Sequence, residues 1–79
     1  MSPPAPDTFD RASELGALVT TRRKNLGLRQ EDLADLAGVS HRFVQAVEAG
    51  KETVRLDKLL PVLHALGWRL ALHEVRGER

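Results

Sequence analysis

The chain has 79 residues, no cysteine and 42% hydrophobic residues, enough for one small domain and too little for the deep cleft of most enzymes. Twelve Lys plus Arg against eleven Asp plus Glu leave a formal charge of +1, so no global positive field announces nucleic acid or an anionic membrane, and any basic surface must be local. With neither a disulfide nor an evident metal site as a staple, a domain of this size is expected to gain stability as an oligomer.

Residues 1–12 read as a flexible N-terminal arm: Pro3, Pro4 and Pro6 prevent a regular ladder, and Phe9 is the bulky apolar residue available for burial. The arm has neither the basic start nor the apolar run of a signal peptide, and nowhere do about 18 apolar residues run together. A soluble, cytoplasmic protein that does not enter membranes is the expectation. The absence of cysteine fits a reducing compartment.

From Ser13 the pattern changes. Leu15, Leu18, Val19 and Leu26 form the stripe of an amphipathic helix over 13–25, with Ser13 as its N-cap, Arg22, Arg23 and Lys24 favoured by the dipole in its last turns, and Gly27 as its stop. A second, eight-residue helix is predicted over 30–37, where Leu33, Leu36 and Ala37 make the stripe and Glu31 and Asp32 sit in the first turn. Gly38, Val39 and Ser40 break it. Ser40 then caps a third helix over 41–49 with Phe43, Val44 and Val47 facing inward, and Gly50 ends that helix. Leu56, Leu59, Leu60, Leu63 and Leu66 mark a fourth, stopped at Gly67. Pro61 is its misfit, and if Asp57 is the cap, a kink or a late start follows. After Gly67 the period changes to two, with Trp68, Leu70 and Leu72 on one side, so a strand is predicted over 68–75 and a charged, frayed tail over 76–79. A lone strand after four helices has no partner in its own chain. A twofold mate would complete it in a homodimer, with Trp68, Leu70 and Leu72 as dimerisation residues.

Two short helices joined by a three-residue turn containing glycine outline a helix-turn-helix over residues 13–67. The residue types fit the geometry. Ala34 is small where the helices cross, Gly38 tolerates a left-handed backbone at the turn, and Val44 and Val47, one turn apart, anchor the third helix. In such a motif that helix lies in the major groove, which points Ser40, His41, Arg42, Gln45 and Ala46 toward base edges. Arg42 carries the donor fork for guanine, Gln45 can pair with adenine, His41 can donate or accept, and Ala46 can touch only a thymine methyl. Gln30, at the start of the second helix, can meet a phosphate oxygen, and Arg29, Lys51 and Arg55 are candidates for a phosphate clamp that the net charge hides. Each of these side chains, taken alone, is also what a solvated surface carries.

The segments Leu26-Gly27-Leu28-Arg29-Gln30-Glu31-Asp32-Leu33-Ala34, Gly38-Val39-Ser40 and Glu48-Ala49-Gly50-Lys51 resemble the Xre or lambda-repressor-like helix-turn-helix family. That resemblance implies an all-α domain of four to five helices, here with a short C-terminal β-strand completing an intermolecular sheet in a dimer. It also implies binding to palindromic double-stranded operator DNA, and it suggests a partly buried salt bridge between Arg23 and Glu48. Arg42-Phe43-Val44-Gln45, Leu56-Asp57-Lys58-Leu59-Leu60 and the strand further resemble the HipB-like antitoxins, which implies autoregulation of an operon and a HipA-like kinase toxin as partner. The other reading is a stand-alone regulator of the same family. Three positions depart from the family pattern. Arg29 stands where Thr or Ser usually caps the second helix, which removes a capping bond of about 1 kcal/mol unless Asp32 compensates; Glu52 replaces a frequent loop proline; and Pro61 lies within the fourth helix.

Enzymatic readings fail on chemistry. His41, His64 and His73 have no metal-ligand spacing, Ser40 and His41 are neighbours whose side chains diverge, and no glycine-rich phosphate loop occurs. No catalysis, metal or cofactor is expected.

Overall fold

A computed structural model describes residues 8–74, and these are all-helical. Four helices follow in order: α1 (Ala12–Asn25), α2 (Gln30–Ala37), α3 (His41–Glu48) and α4 (Leu56–Ala65). α3 packs against α1 and α2, and α2 packs against α4. One core results, built from Leu15, Val19, Leu33, Ala34, Val44, Val47, Leu59, Val62, Leu63 and Leu66. Among the described residues no helix is long and apolar enough to cross a membrane.

The helix starts show how local chemistry sets the boundaries. α1 begins one residue before the predicted cap, because Glu14 reaches back to accept the amides of Asp10 and Arg11 at 2.7 and 3.2 Å. Ser13 therefore lies inside the first turn, and Arg11 is the flanking residue. α2 uses the same device. Arg29 has no side-chain acceptor for the first-turn amides, and Asp32 accepts the Arg29 backbone N–H at 2.8 Å, which is the reciprocal half of a capping box. At α3, Ser40 Oγ accepts the Phe43 amide at 3.0 Å, as its position predicts. α4 starts at Leu56, with Asp57 in its first turn and Arg55 as the flanking residue, so the late start does not occur. Pro61 lies within α4. The carbonyl it deprives is that of Asp57, four residues back in an exposed turn that water can reach.

All four helices close alike, each with an amide that reaches back five residues across a glycine. Leu28 donates to Arg23 at 3.0 Å, Val39 to Ala34 at 3.0 Å, Lys51 to Ala46 at 3.0 Å and Trp68 to Leu63 at 2.9 Å. Gly38 shows why the residue matters. Its φ of 71° is left-handed, and a Cβ there would meet nothing within 4 Å, so conformation rather than space demands glycine. α3 ends at Glu48, one residue short of the predicted Ala49, which serves as its C-cap.

Three apolar expectations fail, the first at Leu26, which is the C-cap of α1 and lies exposed beyond its last turn. Leu36 is 64% exposed, because Leu33, Ala34 and Ala37 already form the inward face of α2 and Leu36 lies about 100° round the helix from their centre. Leu56 is also exposed, since it is the first residue of α4 and projects past the edge of the core. Residues 68–74 carry no strand, for a ladder needs a second strand and this single chain provides none. Trp68 instead turns back on its own body. It is half-buried against the core, with the Arg22 guanidinium 5.9 Å from its ring centroid, while Arg22 Nε donates to the Leu66 carbonyl at 2.9 Å. Leu70 and Leu72 stay exposed. Val75 and the tail over 76–79, like residues 1–7 of the arm, lie outside the described residues.

Gly16 is a constraint that periodicity does not reveal. A Cβ built on it would lie 2.6 Å from the Val47 carbonyl oxygen and 2.7 Å from that of Glu48, both backbone atoms where α1 crosses α3. Alanine gains up to about 1 kcal/mol of helix propensity, whereas overpacking costs typically about 1–3 kcal/mol and more against rigid backbone. Gly16→Ala should therefore lower the melting temperature measured by circular dichroism, and an unchanged or higher melting temperature would show that the helices can part without cost.

Candidate nucleic-acid interface

α3 has two faces of opposite character. Val44 and Val47 are buried in the core, and Phe43 is half-buried against it. His41, Arg42 and Gln45 are exposed on the other side, Ser40 is exposed at the N-cap, and Ala46 is half-buried at the edge. An α-helix with its side chains is about 10–12 Å across, which suits a major groove about 12 Å wide. The hydroxyl oxygen of Ser40 already accepts the Phe43 amide, leaving its proton to donate outward.

The other end of α3 is held by a buried ion pair. Arg23 Nε donates to Glu48 Oε2 at 2.6 Å and Arg23 Nη2 to Oε1 at 3.0 Å, with the side chains only 11% and 7% exposed. The remaining fork of Arg23 donates to the Leu28 carbonyl at 2.9 Å. Glu48 Oε1 takes two further contacts, the Gln30 amide at 3.0 Å and the Thr20 hydroxyl at 2.9 Å. Thr20 has one proton, and it also lies 3.0 Å from the Gly16 carbonyl; the charged oxygen is the stronger acceptor. One carboxylate thus ties together α1, the α1–α2 connection, α2 and α3. Among the described residues no buried side-chain nitrogen or oxygen lacks a partner.

This carboxylate also orients the interface. Ionised Glu48 can only accept, so Gln30 must turn its NH2 toward it, which leaves Gln30 Oε1 facing His41 Nε2 at 3.1 Å. The His41 ring therefore donates from Nε2 and keeps Nδ1 free. Gln30 is half-buried by this arrangement, and it brings the first residues of α2 and α3 together. Of the other sequence-predicted cations, Arg42 and Lys51 are exposed, while Arg29 and Arg55 are ion-paired with Asp32 and Asp57. Thr20 and Gly16 belong to the support of this site, and no local spacing signals either.

Comparison with known proteins gives the arrangement its family. The profile of the helix-turn-helix domain matches residues 14–75. The chain belongs to the Xre-like helix-turn-helix family. Among its relatives is an uncharacterised HTH-type transcriptional regulator of Sinorhizobium fredii, 49% identical over 55 residues that make up 70% of this chain and 72% of the relative. Among solved structures, the restriction-modification controller protein C.AhdI of Aeromonas hydrophila is 33% identical with a TM-score of 0.67, over 73% of this chain and 88% of its own. A chain of a HipA–HipB–O2–O3 complex superposes more completely, with a TM-score of 0.78 over 89% of this chain and 99% of that one. At 17% identity that likeness is one of fold alone. The Xre-like fold thus carries, at the point where α3 meets α1 and α2, the Glu48 network described above.

Burial pushes the Glu48 carboxyl up, and hydrogen bonds from Arg23, Gln30 and Thr20 with the Arg23 charge outweigh it, so its pKa falls below the ordinary 4.5. A depressed acid stabilises the fold above its unfolded-state pKa and ceases to do so as pH falls through the folded one. Unfolding free energy should therefore decline as pH drops below about 4.5, with a shallower decline in Glu48→Gln. At neutral pH, Arg23→Ala should cost about 3–5 kcal/mol by leaving a buried carboxylate unpaired. Chemical denaturation across pH measures both, and identical acid slopes in wild type and Glu48→Gln would contradict the assignment.

Proposed function

We propose that this chain is a dimeric, sequence-specific DNA-binding transcriptional repressor that inserts α3 into the major groove of a palindromic operator. The observation that carries this reading is the polar N-terminal face of α3. Ser40, His41, Arg42 and Gln45 stand exposed on a helix that is fixed at one end by its cap and at the other by Glu48. Arg42 reads guanine through its bidentate fork, Gln45 pairs with adenine, His41 offers Nδ1, and Ala46 touches a thymine methyl. Arg29, Gln30, Lys51 and Arg55 engage backbone phosphates. The names of the Sinorhizobium relative and of C.AhdI, a transcriptional regulator and a controller protein, support regulation.

Dimerisation proceeds through residues 68–75, which pair as a strand with the same segment of a twofold mate. Half-sites then lie about one helical turn, roughly 34 Å, apart. The alternation of Trp68, Leu70 and Leu72 and the exposure of the last two support this pairing. A chain shortened to end at Arg69 keeps Trp68 on its Arg22 contact, and it should sediment as a monomer. A persisting dimer would remove the basis for the strand.

A more specific role as a HipB-like antitoxin is supported by the reach of the fold likeness. The HipB-complex chain covers 89% of this sequence against 73% for C.AhdI. In that role the dimer represses its own operon and holds a HipA-like kinase toxin inactive. The stand-alone regulator is the competing reading, and a kinase-like neighbouring gene whose product co-purifies with this chain decides between them.

Binding to the DNA upstream of its own gene tests the main reading. Arg42→Ala should lower affinity at one base pair of each half-site by about 1–3 kcal/mol, with sequence preference relaxed there. Equal affinity of the wild type for that duplex and a scrambled one at moderate salt would contradict the proposal.

A further inference from the structure

Two of the cations assigned to the DNA backbone already hold an anion. Arg29 Nε and Nη2 each lie 3.2 Å from an oxygen of Asp32, and Arg55 Nε and Nη2 lie 3.1 and 2.7 Å from the oxygens of Asp57. Both contacts are two-pronged forks, the same donor pattern that a phosphate takes. Neither belongs to the core. Arg29, Arg55 and Asp57 are exposed and Asp32 is half-exposed, and ion pairs in such positions contribute little to stability and open readily. Glu31 and Asp35 add to the negative field around Arg29. By contrast, Arg42 and Lys51 pair with no carboxylate among the described residues.

Resting on the DNA-binding reading above, we infer that Asp32 and Asp57 are internal phosphate mimics that lower sequence-independent DNA affinity. Non-specific binding draws nearly all of its free energy from phosphate contacts. Trading a carboxylate for a phosphate on the same fork is close to balanced, so a protein sliding loosely along DNA gains little from it and uses Arg42 and Lys51 instead. At a matched site, base contacts fix the register and hold a phosphate against each fork at high effective concentration, which drives the exchange. The two aspartates thereby widen the gap between matched and unmatched DNA. In Asp32 the same carboxylate also accepts the Arg29 amide, so the cap and the mimic are one group.

The isosteric variants Asp32→Asn and Asp57→Asn keep a carbonyl oxygen and lose the charge. Their binding to a scrambled duplex, measured between 50 and 200 mM salt, should show a slope of log affinity against log salt steeper by up to about 0.9 for each arginine released. That slope amounts to a further threefold to fourfold loss of affinity across this range. Affinity at the low-salt end should rise several-fold, with a smaller rise for the upstream duplex. Glu31→Gln, a change of equal charge next to Asp32, should do markedly less, and Asp57→Asn should have no effect in an Arg55→Ala background. Slopes equal to wild type, or a Glu31→Gln effect as large as that of Asp32→Asn, would overturn the mimic. Should Asp32→Asn prove unstable, Asp57→Asn alone decides, because Asp57 accepts no cap bond. A wild type that retains no duplex at low salt contradicts the DNA-binding reading itself, which is a different outcome.

Discussion

Everything in this small domain that must be rigid converges on the Glu48 carboxylate. Ten core residues bury apolar area, but apolar contact has no direction, and it leaves α3 free to slide or roll by small amounts against its neighbours. The carboxylate removes that freedom, because its partners on α1 and α2 must all lie within hydrogen-bond distance of one residue of α3 at once. Desolvating it opposes folding, and only a complete set of donors offsets the cost. A domain whose whole stability lies within about 5–15 kcal/mol therefore depends heavily on one residue near the end of an eight-residue helix.

The network also explains how a core interaction reaches the surface. Glu48 fixes the direction of the Gln30 amide, Gln30 fixes the donor nitrogen of His41, and His41 opens the exposed face of α3. Gly16 permits the arrangement by letting the backbone of α1 approach that of α3 at this level. Position, orientation and proton placement at the candidate interface thus follow from packing on the opposite side of the same short helix. The surrounding charges act in the other direction. Asp32 and Asp57 restrain Arg29 and Arg55, in keeping with a chain whose acids and bases nearly cancel.

Much of this was legible in the sequence wherever the signal is local. The bounds of α2 and the cap of α3 follow from stripes, a first-turn acid, a glycine and a serine within ten residues of one another, and Asp32 reaches back to the Arg29 amide. Errors arose where two local signals competed. Ser13 lost to Glu14 as the organiser of the first turn of α1, and Leu36 lost its inward place to the smaller Ala34. The Arg23–Glu48 pair was legible through the family resemblance, whereas its other non-local supports had no signature. Thr20 meets Glu48 from 28 positions away, and Gly16 looks like any helical glycine.

The most direct measurement is a map of amide chemical shifts during titration with the duplex from upstream of the gene. The account predicts the largest changes from Ser40 to Gln45 and at Gln30, with the buried positions Val19, Val62 and Leu63 nearly still. Changes confined to α4 and the segment after Gly67, with the start of α3 unmoved at saturating duplex, would mean that this helix does not read DNA.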